Sequence, residues 1–177
     1  MADEEQFNGH SGSLAERAAA RRQQLLERTT TILDVPGYEG ILQMEYRALS
    51  YAEIRRIGSR NGRISDDAAR EQATSADMLI MASEQAYELD PETPDDFSKR
   101  KALGMGWGVP LARNLGVQVS ETMTVRQAVM ACFAHDTWLV QHYREWDTWA
   151  SEAQIDVDEE QRLDFSRTNS PSSPTTP

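Results

Sequence analysis

The sequence predicts a mainly α fold of the α+β class, with an N-terminal helix, one β-hairpin, a small helical bundle and disordered ends. Three observations carry this. Helix-forming runs with capping or acidic starts begin near Ser13, Ser50, Asp66 and Thr124. One stretch, Ile41 to Tyr46, alternates apolar and polar residues just after turn chemistry at Pro36-Gly37 and Gly40. Both ends are polar, and the last, NSPSSPTTP, has prolines among serines and threonines, which bury too little apolar area to offset chain entropy. With 177 residues there is room for one ordinary domain with a core and hardly for two.

Residues 1–12 read as a disordered acidic lead. Ser13 then stands as an N-cap with Glu16 as its capping-box partner, and SLAERAAARRQQLLER makes 13–28 an amphipathic, basic helix. Its apolar stripe of Leu14, Ala18 and Leu25 is thin, so this helix docks weakly or waits for a partner.

The hairpin occupies 29–47. Thr29 to Val35 is β-branched and apolar, and Ile41, Gln43 and Glu45 alternate with Leu42, Met44 and Tyr46, which leaves one face wet. Its open strand edge either pairs with a client or is shielded by the first helix. Ser50 caps the next helix, 51–60, with Glu53 reaching back to its amide and Asn61-Gly62 ending it.

A long helix is expected over 66–89. It opens on two acids at the positive end of its dipole and sets Ala69, Ala73, Ala76, Ile80, Ser83 and Tyr87 along one side, where small residues allow close approach. DPETPDD, Asp90 to Asp96, breaks it, and the chain up to Gly108 reads as a long, adjustable connection. Leu111 to Leu115 forms a short helix and Val117 to Val119 an extended piece.

The last helix is expected over 124–151, capped by Thr124, with Val125, Ala128, Val129, Cys132 and Phe133 at helical spacing. Further on, Trp138, Leu139, His142, Trp146 and Trp149 share about a third of the circumference. Such an aromatic stripe is either the inward face of a terminal helix or an exposed docking ridge. The globular domain therefore spans 29–152, and 153–177 is an acidic, then Ser/Pro-rich, disordered tail. Within that tail IDVDEEQRLDF is a solvated segment or a short linear element with Ile155, Val157, Leu163 and Phe165 as anchors.

A net charge of −11 and a pI near 4.7 oppose phosphate backbones and anionic membranes and favour protein partners, so nucleic acid is disfavoured as a partner. No run approaches the roughly 18 apolar residues of a membrane span, and the N-terminus lacks the basic and apolar regions of a secretory signal. A lone Cys132 in an apolar helical pattern suits a buried thiol in a reducing compartment. The expected location is cytoplasmic.

Catalytic, cofactor and metal sites are expected to be absent. His135 and His142 lie two helical turns apart, roughly 10 Å, too far to share one ion. GMGWGVP neither follows an apolar strand nor carries the Lys-Ser or Lys-Thr of a phosphate loop, and reads as a flexible turn around Trp107. Arg17, Arg21, Arg22 and Arg28 make a solvated or internally paired face before they make a nucleic-acid site, because Glu16 and Glu27 share the helix.

Three strings, "VPGYEGILQMEYRALSYAEI", "ADMLIMASEQAYEL" and "TVRQAVMACFAHDTWLVQHYREW", occur in an order that resembles the tail assembly chaperones of long-tailed, siphovirus-like phages and prophages of actinobacteria. The likeness covers about Ile32 to Ser151. It implies a non-enzymatic protein that binds the tape measure protein, keeps it soluble, helps tail tube protein subunits polymerise around it, and is absent from the mature virion. Many such proteins are made with a longer form by ribosomal frameshifting, so a frameshifted form of this chain and a second copy are further candidate partners; a membrane is not.

On this reading the contacts come from the hairpin and the aromatic helix, with Tyr38, Met44, Tyr46, Trp138, His142, Trp146 and Trp149 as partner-binding residues. Methionines such as Met44, Met78, Met81 and Met130 supply either adaptable contacts or core filling. The alternative is a small helical regulatory or adaptor protein whose basic N-terminal helix contacts nucleic acid.

Overall fold

Two left-handed glycines, Gly37 (φ +86°) and Gly40 (φ +73°), turn the chain between β1 (Thr30–Asp34) and β2 (Leu42–Arg47). Around this hairpin the computed structural model describes residues 13–168. The expected tails at 1–12 and 169–177 lie outside the described residues. The order is α1 (Leu14–Arg28), β1, β2, α2 (Tyr51–Asn61), α3 (Asp67–Ala82), β3 (Ser83–Glu88), a 3-10 turn (Phe97–Lys99), β4 (Lys101–Ala102), α4 (Val109–Asn114), α5 (Val125–Met130) and α6 (Asp136–Thr168). This is an α+β fold, as the sequence predicts.

The start signals read from the sequence are used. The Ser13 amide donates to the Glu16 carboxylate at 2.7 Å and the Glu16 amide to Ser13 Oγ at 3.3 Å. Ser50 and Glu53 form a full capping box, Asp66 caps α3 through the Ala69 amide, and Thr124 pairs with Gln127 at the head of α5.

The sheet is larger than the single hairpin expected. Four antiparallel strands run β1-β2-β3-β4, because the long helix predicted over 66–89 ends at Ala82 and the next residue begins β3. Composition does not separate ASEQAYEL from a helix; the unpaired second edge of β2 does, recruiting Ala86 opposite Met44 and Tyr87 opposite Gln43. The connection beyond it is likewise anchored. β4 pairs with β3, and Ala86 exchanges backbone bonds with Met105 (2.7 Å) and Leu103 (2.9 Å). Val117 to Val119 forms no strand.

The predicted helix over 124–151 divides in two. α5 stops at Met130, Ala131–His135 turns, and α6 restarts at Asp136, which lets Phe133 point inward against Trp107 with ring centroids 5.3 Å apart. α6 does not end near 152 as expected but continues through the start of the anticipated tail to Thr168, about 50 Å in all at 1.5 Å per residue.

One core joins the inner face of the sheet to the helices. Met44, Tyr46, Leu42 and Ala86 from the strands meet Leu79 and Met78 of α3, Leu111 of α4, Val129 of α5 and Leu139 and Trp146 of α6, all buried. The outer face is polar and cross-linked. Gln43 donates to Asp34 at 2.9 Å, Tyr87 to Glu45 at 2.7 Å, and the Arg100 guanidinium sits 4.4 Å from the Tyr87 ring.

Candidate functional site

The residues singled out from sequence fall into two groups. Met44, Tyr46, His142 and Trp146 are inside the core, at most 1% exposed. Tyr38, Trp138 and Trp149 are half-buried and pack against it. The stripe on α6 is therefore the inward face of the helix, and its buried members cannot touch a partner unless the fold opens.

Two of the buried set, Tyr46 and His142, form one polar chain with Trp107. Trp107 Nε1 donates to the Tyr46 hydroxyl at 2.5 Å, and that hydroxyl, its own proton free to give, lies 2.7 Å from His142 Nε2. With Nε2 accepting, the ring carries its proton on Nδ1, which has no hydrogen-bond partner. Burial lowers the His142 pKa to about 4 and raises that of Tyr46 well above the ordinary tyrosine value, so both are neutral at pH 7. Both side chains are fully buried. Trp107 itself corrects the expected flexible turn: it is 5% exposed, and its amide donates to Ser83 Oγ at 2.8 Å. Gly106 beside it leaves no room for a side chain, since a Cβ there would lie 2.6 Å from Ser83 Oγ and 2.8 Å from the Ser83 carbonyl oxygen.

At the hairpin turn, Tyr38 donates to the Cys132 carbonyl at 2.7 Å, and the Trp138 ring lies flat enough on Gly37 that a Cβ would approach Cζ3 to 2.5 Å. These contacts lock the turn onto the α5–α6 corner. Cys132 is buried among them, as the sequence suggested, and that burial pushes its thiol pKa up to about 11.

A second cluster went unnoticed in the sequence. Asp77 on α3, 6% exposed, accepts from Arg126 Nε (2.9 Å) and Nη2 (2.5 Å), from Asn61 (2.8 Å), and pairs with Arg60 at 2.5 Å. Burial pushes the Asp77 carboxyl up, but the hydrogen bonds from Arg126, Asn61 and Arg60 outweigh it and hold it below the ordinary value. It ties α2, α3 and α5 together. No local motif marks it, because the partners are scattered over 66 positions of chain; only the rarity of a buried Asp in a helical pattern hints at it.

On the surface, a groove of about 460 Å³ runs between α3 and α6, and Arg144–Glu71 (2.8 Å) and Gln72–Asp136 (3.1 Å) bridge it. Its charges satisfy one another instead of converging on a ligand. Among the described residues no three His, Cys, Asp or Glu side chains are placed to hold a metal ion, and no helix is long and apolar enough to cross a membrane.

The first half of α1 is open to a partner, as are the exposed apolar side chains of Ile41, Tyr51 and Phe97. Every residue from Ser13 to Arg21 is exposed, including Leu14 at 68% and Ala18 of the thin apolar stripe. No protein-family model matches the chain, and neither a curated protein nor a solved structure matches it.

Proposed function

We propose that this chain is a tail assembly chaperone of long-tailed phages or prophages, working in the host cytoplasm by non-catalytic binding of the tape measure protein and tail tube subunits. The observation that supports it most is α1: a helix whose first half, Leu14 to Arg21, is exposed along its whole length. An isolated helix of this length is marginal in water, and packing of its apolar stripe on another helix is what stabilises it. The stripe of Leu14 and Ala18 suits a long helical client, and Arg17 and Arg21, one turn apart and exposed, offer ion pairs to acidic client side chains while the acidic body keeps the complex dispersed.

The contact surface thus moves from the aromatic stripe to the N-terminal helix. Met44, Tyr46, His142 and Trp146 act as scaffold; Tyr38, Trp138 and Trp149 hold the hairpin turn and α6 in place. Co-expression tests this. A tape measure protein from the same gene cluster should move from the insoluble to the soluble fraction with the wild-type chain, and much less with Leu14→Asp, whose own melting temperature stays at the wild-type value. Equal insolubility with and without the chain refutes the reading.

The exposed Arg17 and Arg21 also favour a regulator or adaptor whose first helix contacts nucleic acid. Binding to DNA or RNA that weakens steeply with salt, and is lost in Arg17→Glu with Arg21→Glu, would support that reading; no binding at low salt removes it.

A further inference from the structure

The two edges of the sheet are built differently. β4 is two exposed residues long and carries Lys101, both devices that discourage strand addition. β1 is five residues, TTILD, with no lysine, arginine or proline, and the register shift in the sheet falls between β2 and β3 at Glu45/Tyr46, away from β1.

The direction of its peptide groups follows from its neighbours. Val35 N donates to Leu42 O at 3.2 Å and Ala48 N to Thr29 O at 3.4 Å, which fixes Val35–Leu42 and Thr29–Ala48 as bonded pairs. Bonded and non-bonded pairs alternate in an antiparallel ladder, so Thr31 and Leu33 also face β2, while Thr30, Ile32 and Asp34 direct their N–H and C=O groups outward. α1 ends at Arg28, but its main approaches are to β2 and α6, so it does not run along this edge.

We propose that β1 is a homodimer interface: the β1 strands of two copies pair antiparallel about a two-fold axis at Ile32 and join two four-stranded sheets into one. The strand is self-complementary in this register. Ile32 faces Ile32 of the second copy and Thr30 faces its Asp34, so every outward residue meets an outward residue and each pair exchanges two bonds. Sliding by two residues sets Thr30 against Pro36, which has no N–H, or Asp34 against Arg28 in α1.

On the inner face Leu33, half-buried against the core, gains Thr31 of the other copy as a cross-strand neighbour. The one charged residue of the strand sits at its end. The two Asp34 carboxylates are then roughly 14 Å apart along the pair, beyond the screening length of about 8 Å at physiological salt, and each lies beside a threonine hydroxyl.

The full chain in solution tests this by light scattering or sedimentation velocity, where the wild type should run at twice its 19.9 kDa chain mass. Ile32→Pro removes only an outward donor and leaves the bonds to β2 intact; it should be monomeric with unchanged circular dichroism. Ile32→Lys, which places a charge on the axis, should raise the dimer dissociation constant by about tenfold or more. Ile32→Cys puts two thiols opposite each other with Cα atoms about 5.5 Å apart, within disulfide reach, and mild oxidation should yield a covalent dimer that Ser59→Cys on exposed α2 does not.

A wild-type chain that stays monomeric overturns the proposal, including when it then captures an extended segment of another protein. So does a dimer that survives Ile32→Pro and Ile32→Lys and fails to cross-link. Should Ile32→Pro unfold, Ile32→Lys and the cross-link decide.

Discussion

Tyr46 on β2 and His142 on α6, 96 positions apart in sequence, share a 2.7 Å hydrogen bond in the centre of the core, and Trp107 donates to the same hydroxyl. The sheet and the longest helix are joined there by a single oxygen. Tyr46→Phe keeps the ring and strands two buried groups, Trp107 Nε1–H and His142 Nε2, so it should cost about 2–4 kcal/mol in urea unfolding. Tyr87→Phe, whose hydroxyl meets Glu45 on the outer face, should cost less than about 1 kcal/mol.

His142 also sets a pH dependence. Its pKa lies near 4 in the folded chain and at its ordinary 6.5 when unfolded, so between those values the unfolded chain binds more protons. The contribution is complete above pH 6.5 and declines as pH falls to 4, by on the order of 3 kcal/mol. Below that, Glu53 takes over. Burial raises its pKa, but hydrogen bonds from Arg47 and Ser50 prevail and hold it at about 2, so its contribution is present above 4.5 and drains away toward pH 2. In His142→Gln the urea midpoint should become nearly flat from pH 6.5 to 5 while the loss below 4.5 remains. Parallel curves for variant and wild type would show that the histidine is not the titrating group.

Asp77 and Arg60 should separate the buried part of their cluster from the exposed part. Asp77→Ala takes the carboxylate from Arg126, which keeps only the Asn61 side-chain oxygen, and leaves the buried Asn61 amide without its acceptor; it should destabilise by about 3–5 kcal/mol. Arg60→Ala, which removes a side chain 59% exposed, should cost less than about 1 kcal/mol. Thermal or denaturant melts of the two variants check this.

Gly37→Ala carries two separable penalties. A φ of +86° costs an L-residue about 1–2 kcal/mol, and the new Cβ meets the Trp138 ring. Trp138→Leu should relieve the clash but not the backbone strain, so a double-mutant cycle should show favourable coupling between the two changes. Strict additivity would mean that the ring does not rest on the turn.

Much of this was legible in the sequence where the signal is local. The capping pairs at Ser13 and Ser50 and the cap at Thr124 mark the starts of α1, α2 and α5, and the alternation from Ile41 to Tyr46 gives both the strand and its inward face. The misses are decided by distant partners. Ser83 to Glu88 has helix-compatible composition and becomes a strand because β2 offers an edge; Ala131 to His135 breaks a helical pattern so that Phe133 reaches Trp107. The aromatic stripe on α6 was visible, but spacing gives a face and not its direction. It turns inward because the Tyr46 hydroxyl supplies a polar partner for His142 there, and the Arg47 carbonyl accepts from Trp146 Nε1 at 3.2 Å.

α3 passes into β3 between Ala82 and Ser83 with no intervening residue, which gears the two elements to each other. Removing or adding one codon within α3 would rotate its downstream half by about 100° and invert every up-down position of β3, sending Ala86 outward and Gln85 inward. Length variation during descent should therefore be purged from this join and tolerated in the acidic Asp90–Asp96 loop, where the chain has slack to absorb it.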